Sequence, residues 1–365
     1  MVVYIQRMAV DQERWLDEVT FRKGVALCQT VPGATAIQAA AYVGLKVRGI
    51  FGAFVAFVGF GLPAVLLIAI LSMLYTKVTV IQPVTIFFTG LQALVVAIVA
   101  TATITFGRQL FTRFLDMILA GIAAVLFLAG VHPILIILLA GMLGVMLLKS
   151  QFIEGRSHLL APPQPPTFSV TSLVLVVIAG TGFLVLLFLN PLLFNIASTM
   201  ARIDLFAFGG GQAALPLMLH EVVVAHGWMD SMTFLNGVAL GQITPGPIVV
   251  TATFVGYLVQ GWSGAFCATV GIFTPSFLVI ILAEPYYEYL LQSPLFSRAL
   301  QGVILSFVGL LFSTTVRFAL AVPWTWFLGL LAIGAAVALD RGIKIIWVVL
   351  IGVALSIAYS AVLLG

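Results

Sequence analysis

Two short segments carry the same spacing of residues that do chemistry: Gln29-x-x-Pro32-Gly33 and Gln242-x-x-Pro245-Gly246, the second continuing into Pro247. Proline removes a backbone donor and glycine tolerates unusual backbone angles. The pattern therefore predicts that one helix stops near each Gln and another starts after each Pro-Gly. A half-helix that begins inside an apolar layer presents free N–H groups and a partial positive charge, which is an anion site. Gln29 and Thr30 in the first copy, and Gln242 and Thr244 in the second, offer side-chain hydrogen bonds to it. The competing reading is a proline kink with no ligand. Two copies at matching positions weigh against it.

A second group of residues precedes the second copy. Phe208 leads into Gly209, Gly210 and Gly211, a run that suits either close backbone approach to a ligand or tight helix packing. Arg202 and Asp204 lie in the apolar segment just before it. Arg202 reads as a counter-charge for an anion or as an interfacial Arg that snorkels; the i, i+2 spacing keeps it off the helical face of Asp204. His220, Glu221 and His226 suggest proton relay, since His titrates near neutrality, and Asp204, a charge at membrane depth, is a further proton-coupling candidate. Asp116, close to Arg113, reads as an interfacial ion pair. Cys28 and Cys267 are isolated and apolar in context, so they read as buried small hydrophobes. No metal-ligand, nucleophile, nucleotide or dinucleotide pattern occurs. No catalytic residue, metal or cofactor is therefore expected, and the chain is not expected to be an enzyme.

The elements that must position these residues follow from composition. Of 365 residues, 62% are hydrophobic and only 8% charged, against about 25% charged in soluble domains. The mean hydropathy is +1.22. This is an integral membrane protein of all-α, polytopic class. The net charge of +4 is in keeping with basic cytoplasmic loops. Basic residues form no cluster, so nucleic acid is excluded as a partner. The first residues carry charge too early for a signal peptide. At about 20 residues per span, apolar segments fall near 50–75, 84–105, 115–130, 133–148, 170–189, 192–208, 261–282, 299–316, 324–339 and 345–363. Two more, 24–43 and 237–256, are interrupted by Pro and Gly. The expected total is about ten to twelve.

A polar, Pro-rich stretch at 149–167 divides the chain, and the two sides repeat. Trp15-Leu16-Asp17 matches Trp228-Met229-Asp230 at an offset of 213. Gly24 to Leu27 then matches Gly237 to Leu240, and Pro32-Gly33 matches Pro245-Gly246. After one gapped residue the offset becomes 212. Gly44, Gly49 and Gly52 meet Gly256, Gly261 and Gly264, and Pro63 meets Pro275. Three parts follow: a first repeat over 1–149, a linker with a connecting span over 150–190, and a second repeat over 191–365. Internal duplication in a membrane protein points to a secondary transporter with its site at the repeat interface.

The run FAFGGGQAALPLMLHEVVVAHGWMDSMTF, followed by LNGVALGQITPGPIVVTATFVGY, resembles the signature of the chromate ion transporter (CHR) family, whose long members are tandem duplications. The resemblance covers nearly the whole chain. It implies a carrier that exports chromate, with sulfate a close analogue, by proton-coupled exchange. The family's motif falls on Phe208, Gly209 and Gly210, on Gln242, Pro245, Gly246 and Pro247, and in the first repeat on Gln29, Pro32 and Gly33. Three departures stand out: Gly211 replaces a usual Pro, Ala34 stands opposite Pro247, and the first repeat lacks the helix carrying its own FGGP-like element. A downstream start assignment would explain the third.

The region before the first Pro-Gly is rich in Arg and Lys, whereas 215–232 has none. That contrast, with the extra span at 170–189, favours inverted over parallel repeats. The expected partners are a chromate- or sulfate-like oxyanion, protons and the lipid bilayer. A homodimer stays open. Multi-pass insertion in the cell membrane (the inner membrane if the source is bacterial) is expected. An anion channel is the alternative, and an intramembrane enzyme or lipid-handling protein a weaker one.

Overall fold

The computed structural model describes residues 1–78, 82–148 and 170–364, and every regular element among them is helical. The dividing stretch at 149–167 lies outside the described residues. The first half holds α1 (Val2–Gln6), which runs into a π-helical turn (Arg7–Gln12), then α2 (Glu18–Thr30), α3 (Thr35–Val78), α4 (Gln82–Leu110), α5 (Phe114–Leu128) and α6 (Pro133–Leu147). A single helix, α7 (Val170–Leu189), leads to the second half. That half holds α8 (Pro191–Leu205), α9 (Ala214–Leu219) with a π-helical turn (His220–Ala225), α10 (Ser231–Ile243), α11 (Thr251–Ala283), α12 (Tyr287–Gln292), α13 (Pro294–Ala321), α14 (Trp326–Asp340) and α15 (Ile345–Leu364). The starts of α4, α5 and α6 precede those of α13, α14 and α15 by the same 212 residues. Even the π-turns recur in register. Asp17 and Asp230 cap α2 and α10 in the same way, accepting from Thr20 N at 2.9 Å and Thr233 N at 2.7 Å.

Neither α3 nor α11 is one straight helix. Gly49 has φ 62° after Arg48 at φ −140°, and Gly261 has φ 58° after Gln260 at φ −144°. These left-handed residues reverse the chain, and glycine is what permits it. Gly44 touches the Gly52 carbonyl, and Gly256 touches that of Gly264. Thr253 Oγ1 lies 2.8 Å from Thr269 Oγ1, where a straight helix would separate them by about 24 Å. The segments 35–47 (α3a) and 50–78 (α3b) are therefore antiparallel, as are 251–259 (α11a) and 262–283 (α11b).

The Pro-Gly breaks make a second reversal. Gly24 of α2 lies against the Tyr42 ring, and Gly237 of α10 against the Phe254 ring. α2 with α3a, and α10 with α11a, form helical hairpins that enter and leave on one face, with Pro-Gly at the tip. α8 also turns back: Arg202 comes within 3.8 Å of Glu221, although a straight helix would hold them about 28 Å apart. Three segments read as spans, 24–43, 237–256 and 192–208, are thus re-entrant. Hydropathy reports apolar surroundings and not direction, which is why they counted as crossings.

The relative sense of the halves follows from packing. α13 runs alongside α5: Gly309 abuts Ala120, Ser313 Oγ donates to the Ala124 carbonyl at 2.9 Å, and Arg317 Nη2 donates to the Phe127 carbonyl at 2.9 Å. α5 returns from α4 through a short turn, so α4 runs opposite to its counterpart α13. α3b and α11b are likewise antiparallel, with Phe57 on Phe273 and Phe54 on Phe277 at ring separations of 5.9 and 6.1 Å. Lys46, beside the Gly49 turn, pairs with Glu284 beyond the far end of α11b. The repeats are inverted, and the two hairpins enter from opposite faces. Thr103 and Thr315, which are equivalent positions, meet at 3.4 Å on the pseudo-twofold axis. Among the described residues, four segments are long and apolar enough to cross a membrane: Thr35–Lys77, Phe87–Leu110, Ile248–Tyr286 and Pro294–Ala321. The reversals at Gly49 and Gly261 fall inside the first and third.

Candidate functional site

Both hairpin tips end in the interior, each against the crossing helix of the other repeat. The first tip rests on α11b, where Ala34 N donates to Ser276 Oγ at 3.1 Å. The second rests on α3b, with Gly246 against Ala64. Ser276 and Ala64 are equivalent positions, so the two seats are related by the repeat symmetry. The first seat is tied further. Gln38 is fully buried and donates from Nε2 to the Pro32 carbonyl at 2.7 Å and to the Ser276 carbonyl at 3.3 Å. Gly33, at φ 120°, needs glycine twice over, because a Cβ would also strike the Ser276 and Gln38 side chains.

The loop after α8 is inserted between the tips. Gly33 N donates to the Ala207 carbonyl at 2.9 Å. Gly209 and Gly210 have φ of 92° and 99°. A Cβ at Gly210 would come within 3.1 Å of Thr35 Oγ1, and one at Gly211 within 3.1 Å of the Ile248 side chain. Phe208, Gly209 and Gly210 therefore stand where α3a and α11a begin. Close backbone approach, one of the two readings of the glycine run, is what the loop does here.

The amides that open the two helices are the main chemistry of this centre. Among the described residues, the backbone N–H groups of Thr35 and Ala36, and of Ile248 and Val249, have no hydrogen-bond partner. These pairs occupy equivalent positions. Helix starts leave such donors unpaired, and two starts from opposite directions bring two partial positive charges toward one loop. The arrangement can bind an anion by main-chain hydrogen bonds with no fixed cation.

Side chains expected at this centre divide. Thr244 is buried and bonds back to the Leu240 carbonyl at 2.8 Å, and Thr30 does the same to Leu27 at 2.8 Å. Both hydroxyls thus end their helices. Gln242 is half-buried, with its amide nitrogen buried and unpartnered, so it keeps a free donor beside the second tip. Gln29 is exposed. Pro32, Pro245 and Pro247 shape the breaks. A small pocket beside Phe208 and Gly209 is lined by apolar residues of α4 and α13, among them Phe106, Leu110, Phe307 and Leu311, and its lining side chains offer no donor to an oxyanion.

Arg202 lies away from the tips, in a charged cluster with Glu221. Glu221 is 4% exposed at its side chain and faces His132 Nε2 at 3.2 Å, His226 Nδ1 at 3.6 Å and Arg202 at 3.8 Å. His220 packs on His132 at a ring separation of 4.7 Å, and its Nδ1 is buried without a partner. His132 escaped sequence reasoning because it comes from the other repeat, at the N-cap of α6, where it accepts from Ile134 N at 3.3 Å. Its only signal was a titratable residue between two apolar runs. Asp204 is 1% exposed, and neither carboxylate oxygen has a hydrogen-bond partner among the described residues.

A membrane protein of inverted repeats whose broken helices meet at a glycine loop matches the motifs on which the resemblance rested, and wider comparison agrees. The sequence model described as chromate transporter matches residues 1–145 and 194–357. A chromate transport protein of Pseudomonas aeruginosa is 31% identical over 86% of this chain and 75% of its own length. One from Cupriavidus metallidurans is 29% identical over 84% of this chain and 74% of its own. An uncharacterized transporter of Methanocaldococcus jannaschii is 38% identical over 89% of this chain and 81% of its own. No solved structure matches. With both repeats covered, the chain belongs to the chromate transporter family, as a multi-pass integral protein of the cell membrane.

Proposed function

We propose that the protein is a secondary carrier that exports chromate, or a related tetrahedral oxyanion such as sulfate, by exchange against protons. The observation that carries this reading is the pair of half-helix starts, with free amides at Thr35, Ala36, Ile248 and Val249, meeting around Gly209 and Gly210. Main-chain donors suit a tetrahedral dianion, whose charge is spread over four oxygens. Gln242 adds a side-chain donor, and Pro32, Gly33, Pro245, Gly246 and Pro247 hold the tips. Asp204, His220 and Glu221 supply groups that can exchange protons. Transport by alternating access would rock the hairpins against the α4 and α13 pair.

The test is chromate uptake into inverted membrane vesicles from cells expressing the chain, with and without a proton gradient. Saturable uptake that depends on the gradient and is inhibited by sulfate is the expected result. A rate that rises linearly with chromate and ignores the gradient would replace the carrier with a channel.

A further inference from the structure

Asp204 is the last-turn residue of α8, a half-helix that ends in the interior. Its side chain is buried, both carboxylate oxygens lack a hydrogen-bond partner, and Ser276 of α11b is the polar residue acting on it. No charged side chain of α3a, α8 or α11b faces it; Arg202, two residues back, is turned to Glu221. Gln38 also reaches Ser276. Its amide nitrogen is spent on the Pro32 and Ser276 carbonyls, and its Oε1 is buried and unpartnered. The Ser276 hydroxyl oxygen already accepts from Ala34 N, so its hydrogen is free to point at Asp204.

Three buried acceptor oxygens therefore gather around one serine in the seat of the first hairpin, with more acceptors than that serine has hydrogens to offer. A bare carboxylate in such a place is costly unless something positive joins it. The end of a half-helix adds to the demand, since its carbonyls carry partial negative charge. Half-helix starts face anionic substrates and half-helix ends face coupling cations in carriers of this architecture. The oxyanion cradle uses the starts of α3a and α11a. The end of α8 is the complementary feature, one loop away.

We infer that Asp204, with Gln38 Oε1 and the Ser276 hydroxyl, is the binding site of the monovalent cation that drives the carrier, either a proton on the carboxylate or a sodium ion among the oxygens. This rests on the carrier reading above; a sodium response would replace the proton of that reading and leave the carrier standing. It sets the Glu221 cluster apart, because Glu221 already has Arg202 and two histidines around it. It also links cation to anion mechanically: Asp204 precedes the glycine loop, and the loop carbonyl of Ala207 holds Gly33 of the first tip.

The experiment uses purified full-length protein in proteoliposomes, reading chromate flux under a chromate gradient alone, with an added pH gradient, and with an added sodium gradient. Wild type should respond about tenfold to one of the two cation gradients, and that identifies the cation. In Asp204→Asn the ratio of flux with the cation gradient to flux without it should fall to within about twofold of one, whatever the absolute rate. If that variant does not reach the membrane, Asp204→Glu carries the test; it should shift the half-maximal cation concentration by about tenfold. A full gradient response in Asp204→Asn, or an unchanged half-maximal concentration in Asp204→Glu, overturns the assignment and leaves the carrier standing. Wild-type chromate flux that ignores both gradients also overturns it. No chromate flux in wild type removes the carrier reading itself, and this site with it.

Discussion

At the scale of single residues, the centre is built from backbone more than from side chains. Gly210→Ala would put a Cβ on a residue at φ 99°, at about 1–2 kcal/mol of strain, and push it toward Thr35. Chromate affinity should fall roughly tenfold with surface expression retained, read from the substrate dependence of vesicle uptake; an unchanged half-saturation would detach the loop from the site. Gln242→Ala removes one neutral hydrogen bond, worth about 0.5–1.5 kcal/mol. It should weaken apparent affinity by about three- to tenfold without changing the maximal rate. The Pro-Gly breaks and the free amides behind them were legible in the sequence, because proline and glycine act on their own backbone. The partners of the side chains were not. Nothing local to Arg202 says that it turns to Glu221, nor that His132 arrives there from the other repeat. Contacts of this kind are set by how helices cross, and sequence spacing carries that only within one helix.

At the scale of elements, hydropathy placed breaks at 44–49 and 257–260, where the chain reverses at Gly49 and Gly261, and missed the reversals at the Pro-Gly tips, because 24–43 and 237–256 each counted as one interrupted crossing. Inversion was favoured by charge contrast and by the extra span at 170–189, and the packing of α13 along α5 supplies its physical basis. The division into hairpins and crossing helices yields a mechanical expectation. Thr103 and Thr315 join α4 to α13 on the axis, between elements that a rocking carrier keeps together. A Thr103→Cys, Thr315→Cys pair should oxidise to a disulfide and leave chromate flux within about twofold of the reduced protein. Gly246→Cys with Ala64→Cys ties the second hairpin tip to α3b, across a boundary that must slide. Its oxidation should block flux and reduction should restore it. Free flux through the locked tip would mean that the hairpins are static and that access alternates elsewhere. A disulfide demands Cβ atoms about 3.5–4.5 Å apart; a Cβ on Gly246 would stand closer than that to the Ala64 Cβ, so the second tip gives slightly as the bond forms.

At the scale of the whole molecule, inversion assigns each loop to a face, and the basic residues then sort. Lys46, Arg48, Arg108, Arg113, Arg298, Arg341 and Lys344 lie at helix ends on the face from which the first hairpin enters, as do Arg14, Arg22 and Lys23. The Arg108–Asp340 ion pair, 2.9 Å, joins two of those ends. The opposite face keeps Lys77 and the inward-turned Arg202 and Arg317. An excess of Lys and Arg marks the cytoplasmic side, so the first hairpin opens to the cytoplasm and the second, with the Glu221 cluster beside it, opens outward. Neither loop set alone gives this answer, because the same sequence read with spanning Pro-Gly segments scatters the charges. Single cysteines at Ser263, beside the Gly261 turn that follows the second hairpin, and at Lys344, between α14 and α15, test it in intact cells. A membrane-impermeant thiol reagent should label Ser263→Cys directly and Lys344→Cys only after permeabilisation, with Cys267 replaced by Ser in both. The reverse pattern would turn the protein over. Equal labelling of both would place the two turns on one face, and that would break the inverted arrangement from which the oxyanion cradle was built.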